Sequence, residues 1–133
     1  MKKLSCLLAV IAPLLPASLR ADAVVVFNEV MYHPATGETN LEWLELHNQL
    51  AVDVDISEWS LSGGINYTFP SNSIIKGRGY VVVAISPAAL MAGTGLTGVY
   101  GPFTGRLGNN GDIVRLSNNS GRLMDELNYG VDD

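Results

Sequence analysis

Residues 41–48 hold the densest alternation of apolar and acidic side chains in the sequence, Leu41-Glu42-Trp43-Leu44-Glu45-Leu46-His47-Asn48. A period of two is typical of a β-strand with one buried and one solvated face. Turn-forming residues flank the run, as they do at strand ends. We therefore predict a strand over 41–48 at the centre of an all-β domain.

The pattern extends over most of the chain. Seven further segments have strand composition, and turn signals separate them: 23–32, 52–56, 59–62, 65–69, 80–85, 112–116 and 122–129. Segments 36–40 and 94–105 are predicted loops, and Ser86-Pro87 predicts the start of a short helix over 88–92 that ends at Gly93. About eight short strands with one helical turn favour a β-sandwich in a chain of single-domain length.

Two expectations concern the interior of this sandwich. The apolar run over 80–85 is expected to be covered on both faces. The predicted core consists of apolar residues spread over five segments: Val26, Leu44, Leu46, Trp59, Phe69, Val81 and Val83.

The first 23 residues have the composition of a secretory signal peptide. Lys2 and Lys3 precede an apolar run over 4–15, which is too short to span a bilayer as a helix. Cleavage is expected after Ala23, with Ala21 as the second choice. A membrane anchor is the alternative, and a lipoprotein is disfavoured because Cys6 lies too early in the run. We predict export to the periplasm, the cell surface or the medium, with membrane contact only through this signal.

Cleavage after Ala23 defines the composition of the mature domain, predicted to span 24–130. It removes three of the 8 basic residues and one of the 13 acidic ones, so the mature chain carries a net charge of −7. Negative charge repels phosphate backbones, so nucleic-acid binding is not expected. Cys6 is lost as well, and without a thiol the mature chain can form neither a disulfide nor a thiolate metal site.

The acidic and histidine residues of 41–48 are the first candidates for chemistry. In a strand, Glu45 and His47 point to one face and Glu42 to the other. A catalytic zinc needs three protein ligands, and His33 is the only other histidine. Carboxylate pairs can serve a glycosidase, but these residues are expected to be structural, and no catalytic residue is predicted.

Asp53-Val54-Asp55 resembles the start of a calcium-binding loop. However, the sixth position is Glu58 instead of glycine, and the twelfth is Gly64 instead of glutamate. A solvated strand edge is the preferred interpretation, and a looser calcium site on Asp53, Asp55 and Glu58 stays open.

The glycines over 93–98 match the G-x-G-x-x-G pattern, but they follow the predicted helix instead of opening it, so no dinucleotide cofactor is expected.

Trp59 is expected in the core. The direction of the Trp43 side chain is left open, and an exposed Trp43 would favour carbohydrate binding.

Six segments, taken in order, resemble the lamin-tail domain family, an immunoglobulin-like β-sandwich. They are Asn28–Pro34, Glu42–Asn48, Ile56–Leu61, Tyr67–Pro70, Gly77–Val83 and the pair Asn110–Leu116 and Asp125–Gly130. The resemblance covers about residues 24–130 and is closest to exported bacterial members. Glu58 stands where the family usually has glycine.

The resemblance implies a non-catalytic module that attaches or targets a larger secreted or surface protein to an unknown protein or cell-surface partner. The DNA binding ascribed to lamins is not expected of this acidic chain. Residues 131–133 resemble the start of a linker in a truncated product. The alternatives are a carbohydrate-binding or calcium-assisted adhesion module and, third, an enzyme that uses Glu45 and His47.

Overall fold

The structure is a computed structural model that describes residues 24–35 and 37–130. The predicted signal peptide over 1–23 and the predicted linker over 131–133 lie outside this part. The described part contains ten strands: β1 Val25–Met31, β2 Trp43–Asn48, β3 Val54–Asp55, β4 Ser60–Gly63, β5 Ile65–Thr68, β6 Ile74–Ile75, β7 Tyr80–Ala84, β8 Thr104–Gly105, β9 Gly111–Ser117 and β10 Leu123–Gly130. A 3₁₀ helix spans Thr39–Leu41, and the helix α1 spans Pro87–Thr94.

The strands form two antiparallel sheets and a small ribbon. One sheet has the order β1-β2-β7, the other has the order β10-β9-β4-β5-β8, and β3 pairs with β6. Apolar side chains from both sheets meet in one core: Val25, Leu44, Leu46, Leu61, Ile65, Val83, Val114 and Leu116, with Ile56, Trp59, Phe69, Ile75, Phe103 and Leu107 from the flanking segments. The predicted all-β, immunoglobulin-like sandwich is confirmed.

Every one of the eight predicted strand segments contains a strand. β6 and β8 are additional, and each is only two residues long, so neither carries a readable alternation. The hairpin turn between β4 and β5 requires Gly63, because its φ is +104° and a Cβ there would lie 2.1 Å from the carbonyl oxygen of Ile113.

The predicted core needs one correction. Val25, not Val26, is fully buried in β1. Val25 pairs with Asn48 and Phe27 with Leu46, which places Val25 on the inward face. Three consecutive valines hide this parity, and the register shift between Phe27 and Glu29 disrupts the simple alternation.

Other core residues are placed as expected, with one difference of degree. Leu44, Leu46, Trp59, Phe69 and Val83 are buried, whereas Val81 is partly buried and packs against the core.

The expectation that 80–85 is covered on both faces holds at Val83 and Ala84, which are buried, but is wrong at the start of the segment. Tyr80 is 55% exposed, and Val82 is only partly buried. The outer face of the β1-β2-β7 sheet is covered at one end by α1, which contacts β7 and the 3₁₀ helix. At the opposite end Tyr80 is exposed, and residues 96–99 face Tyr80 and Val82 across a cleft.

Helix α1 begins as predicted and ends later. The Ser86 hydroxyl accepts a hydrogen bond from the Ala89 N–H at 3.4 Å, and Pro87 is the first helical residue. The C-terminal cap of the helix is Gly95 and not Gly93. Gly95 adopts the left-handed conformation of such a cap, with φ +75°, and its N–H donates to the Met91 carbonyl at 2.9 Å. The 3₁₀ helix takes up the last two residues of the predicted loop over 36–40.

Candidate functional site

The side chains around β2 divide between two faces, as the alternation predicts. Glu42, Leu44, Leu46 and Asn48 are buried between the sheets. Trp43, Glu45 and His47 lie on the outer face and are partly buried. Glu42 therefore lies on the opposite face from Glu45 and His47. The direction of the Trp43 side chain, which the sequence left open, is outward, into the cavity beneath α1.

Glu42 is 4% exposed and holds a distant loop. Its Oε2 accepts a hydrogen bond from the Leu107 N–H at 3.0 Å. The Arg106 guanidinium is 3.9 Å from Oε1 and donates to the Thr39 carbonyl at 2.9 Å. The carboxylate therefore ties the segment that precedes β9 to the start of β2.

Two residues of the C-terminal hairpin secure the same loop. The Tyr129 hydroxyl donates to the Gly108 carbonyl at 3.0 Å, and the Gly108 N–H donates to Asp112 Oδ2 at 3.1 Å. Burial raises the pKa of Tyr129 to about 12, and the negative charges of Asp112 and Glu42 add to the effect. No local sequence pattern indicated this arrangement, because its members are far apart in the chain.

Asn48 is fully buried and was predicted only as a strand end. Its Nδ2 lies 2.8 Å from the carbonyl oxygen of Val52 and 3.1 Å from those of Ile75 and Lys76, so its two hydrogens are shared among three acceptors. Its Oδ1 accepts from the Leu50 N–H at 2.9 Å. One side chain thus fixes both the loop after β2 and the turn after β6.

Glu45 and His47 share the outer face but have separate partners. Glu45 Oε1 accepts from Asn28 Nδ2 at 2.7 Å. His47 Nδ1 lies 3.0 Å from the Gly79 carbonyl, and its ring stacks on Tyr80 with centroids 4.3 Å apart.

His33 lies elsewhere, on a cleft of about 280 Å³ whose lining includes Glu42 and Arg106. His33 thus shares a cleft with Glu42, and not with Glu45 and His47 on the outer face.

The candidate calcium ligands each contact a different protein group. Asp53 accepts from Lys76 Nζ at 2.9 Å and from the Gly77 N–H at 3.0 Å, and these hydrogen bonds lower the pKa of its carboxyl.

Asp55 accepts from the Ser57 N–H at 2.9 Å, and the hydrogen bonds from Ser57 lower its pKa. Glu58 accepts from the Ser71 hydroxyl at 3.3 Å. Within residues 24–35 and 37–130, no group of three or more His, Cys, Asp or Glu side chains is arranged to hold a metal ion.

The glycines over 93–98 lie in the last turn of α1 and in the loop that follows it. Their N–H groups do not lie at the N-terminus of a helix, which is where a dinucleotide pyrophosphate would bind.

In the part of the chain that the structure describes, no helix has the length and apolarity needed to cross a membrane.

Comparison with known proteins identifies the family. A comparison with curated proteins found no match. The family model described as Lamin Tail Domain matches residues 19–131, which is most of the chain. The two packed antiparallel sheets described above agree with the immunoglobulin-like fold that this family implies. The chain belongs to the lamin tail domain family.

Proposed function

We propose that the protein is a non-catalytic interaction module that acts after export and attaches a larger secreted or surface protein to its partner. One observation carries the proposal: each candidate catalytic side chain around β2 makes a structural contact. Glu42 holds the Leu107 N–H, Glu45 holds Asn28, and His47 stacks on Tyr80. Membership in the lamin tail family supports the same conclusion.

Export rests on the composition of residues 1–23 and is part of the proposal. Mass spectrometry of the protein recovered outside the cytoplasm of the source cells should give a mature chain that begins at Asp22 or Val24. Retention of Met1 in that material would contradict removal of a signal peptide.

Attachment can be tested with the mature protein carrying a fluorescent label. When it is incubated with the envelope fraction of the source cells, we expect saturable binding that excess unlabelled protein displaces. Binding that rises linearly with concentration would contradict a specific partner. Turnover of a hydrolase substrate that is lost on replacing Glu45 and His47 by alanine would instead support an enzyme.

A second candidate function is carbohydrate binding, and one observation favours it. Tyr80 is 55% exposed and, with Glu45, lines a cleft of about 180 Å³ between β7 and residues 96–99. Aromatic rings with a neighbouring hydrogen-bonding group are suited to sugars. A glycan array tests this function, and an array without hits would remove it.

Calcium-assisted adhesion is the other form of this candidate. Melting with and without millimolar calcium tests it, because binding to the folded state must raise the midpoint.

A further inference from the structure

The outer face of the β1-β2-β7 sheet has an ordered composition. Strand register places its side chains in three rows across the sheet, and residues of neighbouring rows are two positions apart along β2 and β7. The rows are Val26, His47 and Tyr80, then Glu29, Glu45 and Val82, and finally Met31, Trp43 and Ala84.

The middle row contains two carboxylates directly opposite each other. Glu29 pairs with Glu45 across β1 and β2, and like charges at such positions destabilise a sheet. Asn28 occupies one oxygen of Glu45. Among residues 24–35 and 37–130, no cationic side chain lies within ion-pair distance of either carboxylate. The face therefore presents uncompensated negative charge on a chain with a net charge of −5.

The rows on either side of the carboxylates are largely apolar. On one side, Tyr80 stacks on His47 and keeps 55% of its surface exposed. On the other side, Met31 and Trp43 join Leu90 of α1 around a groove of about 260 Å³. Both features are suited to partly buried apolar side chains of a partner.

The spacing of the rows points to the form of that partner. A strand rises about 3.3 Å per residue, so neighbouring rows are about 6.6 Å apart, which is also the spacing of alternate side chains in an extended peptide. A peptide lying along β2 can therefore place one side chain on each row.

We propose that this face binds an extended segment of a protein partner in which a Lys or Arg is flanked, two residues away on each side, by an apolar or aromatic residue. The cation lies between Glu29 and Glu45. One flanking side chain enters the groove beside Trp43, and the other lies on Tyr80. Charge complementarity selects the basic residue, and the two apolar rows fix its register. The inference rests on the proposed attachment function and names its surface.

A random nonapeptide library displayed on phage, selected on the immobilised mature protein, tests the proposal. We expect enriched sequences with a central Lys or Arg and apolar residues at both positions two away. A synthetic enriched peptide should lose at least about ten-fold in affinity for the double variant Glu29→Gln/Glu45→Gln, because charge-assisted contacts are lost.

The control variant Glu58→Gln/Glu126→Gln removes the same charge elsewhere, and we expect it to keep the affinity of the wild type. The melting temperature of Glu29→Gln/Glu45→Gln should equal or exceed that of the wild type, since a repulsion has been removed. A lower melting temperature would show that these carboxylates support the fold, which would overturn the proposal.

Three other outcomes would overturn the proposal: no enrichment, enriched peptides without a basic residue, or equal loss in the two double variants. Concentration-dependent dimerisation that Glu29→Gln/Glu45→Gln abolishes would assign the face to a second copy of the chain instead. If Glu29→Gln/Glu45→Gln showed the same saturable envelope binding as the wild type, the assignment of this face as the binding surface would be contradicted, but the attachment function would not. Absence of envelope binding in the wild type would contradict the attachment function itself.

Discussion

The carboxylate of Asp125 accepts a hydrogen bond at 2.9 Å from the backbone N–H of Phe27, 98 positions earlier in the chain. The two residues lie on the edge strands β10 and β1 of different sheets, and each is at a register shift. A bulge leaves a backbone group without its ladder partner, and an unpaired edge is open to other chains. Asp125 therefore closes one side of the sandwich and satisfies an otherwise open donor.

Replacing Asp125 by alanine is expected to lower the free energy of unfolding by about 1.5–3 kcal/mol, because a hydrogen bond to a charged group is lost. Asp125→Asn keeps an acceptor and should lose less. Urea unfolding measures both variants, with Glu126→Ala as the exposed control, expected to change stability by about 1 kcal/mol or less. Equal losses in Asp125→Ala and Glu126→Ala would contradict the role of the Phe27 contact.

Replacing Asn48 is expected to reduce stability more than replacing an ordinary residue at a strand end. Asn48→Ala removes the hydrogen bonds to the carbonyls of Val52, Ile75 and Lys76 and the one from the Leu50 N–H, so we expect a loss of about 3 kcal/mol. The near-isosteric Asn48→Asp should be at least as harmful, since a carboxylate oxygen would face the carbonyls of Val52, Ile75 and Lys76. Urea unfolding with Asn28→Ala as the exposed control measures the effect, and a mild Asn48→Asp variant would contradict the donor role.

Glu42 is expected to stabilise the loop that contains Leu107. Glu42→Ala leaves the Leu107 N–H buried without an acceptor and is expected to cost about 1–3 kcal/mol, whereas Glu42→Gln keeps an oxygen in place. Hydrogen exchange provides the local measurement: the Leu107 amide should lose protection in Glu42→Ala. The matched change Glu45→Ala on the outer face should leave that amide protected, and faster exchange in both variants would contradict a specific bond.

The sequence predicts what depends on short-range periodicity. Alternation over 41–48 correctly separated Glu42 from Glu45 and His47, because side-chain direction in a strand follows from parity alone. The same reasoning failed at Val26, where three valines in succession carry no parity information and a bulge shifts the register. Ser86 marked the start of α1, but its end depended on which of two nearby glycines adopts a positive φ.

Long-range polar contacts could not be predicted. Asn48 bonds a loop and a turn, Asp125 bonds a strand 98 positions away, and Tyr129 bonds the carbonyl of Gly108. Residue type gives no information about which distant backbone group will be buried beside it. The partial exposure of the outer sheet face follows similarly from where α1 packs, which the sequence of a short helix does not encode.

Glu58 offers a test of backbone strain. It has φ +62° in the turn between Ile56 and Trp59, at the position where the family usually has glycine. A left-handed conformation costs an L-residue roughly 1–2 kcal/mol, and replacement by glycine removes this cost. Part of the resulting gain in stability is offset, because glycine has greater conformational freedom in the unfolded chain. We expect Glu58→Gly to raise the free energy of unfolding by about 0.5–1 kcal/mol.

Urea unfolding of Glu58→Gly and Glu58→Ala separates strain from side-chain effects. Alanine keeps the strained φ and loses the contact with Ser71, so it should not stabilise the protein. Equal stabilisation by both variants would point to removal of the charge instead of relief of strain.

Tyr129 should make the fold sensitive to alkaline pH. Its pKa is raised to about 12, from an ordinary value of 10.0, chiefly by burial. The folded protein therefore holds the phenolic proton more tightly than the unfolded chain does, so this contribution to stability is complete below pH 10 and is lost as pH rises from 10 to 12. Tyr67, whose pKa burial also raises, contributes in the same direction.

Tyr129→Phe is expected to have opposite consequences in two pH ranges. Near neutral pH it removes the hydrogen bond to Gly108 and should cost about 0.5–1.5 kcal/mol. Between pH 10 and 12 its stability should fall less steeply than that of the wild type, because one group that must ionise on unfolding is absent. Urea unfolding at a series of pH values measures both slopes. Equal slopes in the variant and the wild type would show that Tyr129 ionises alike in the folded and unfolded chain.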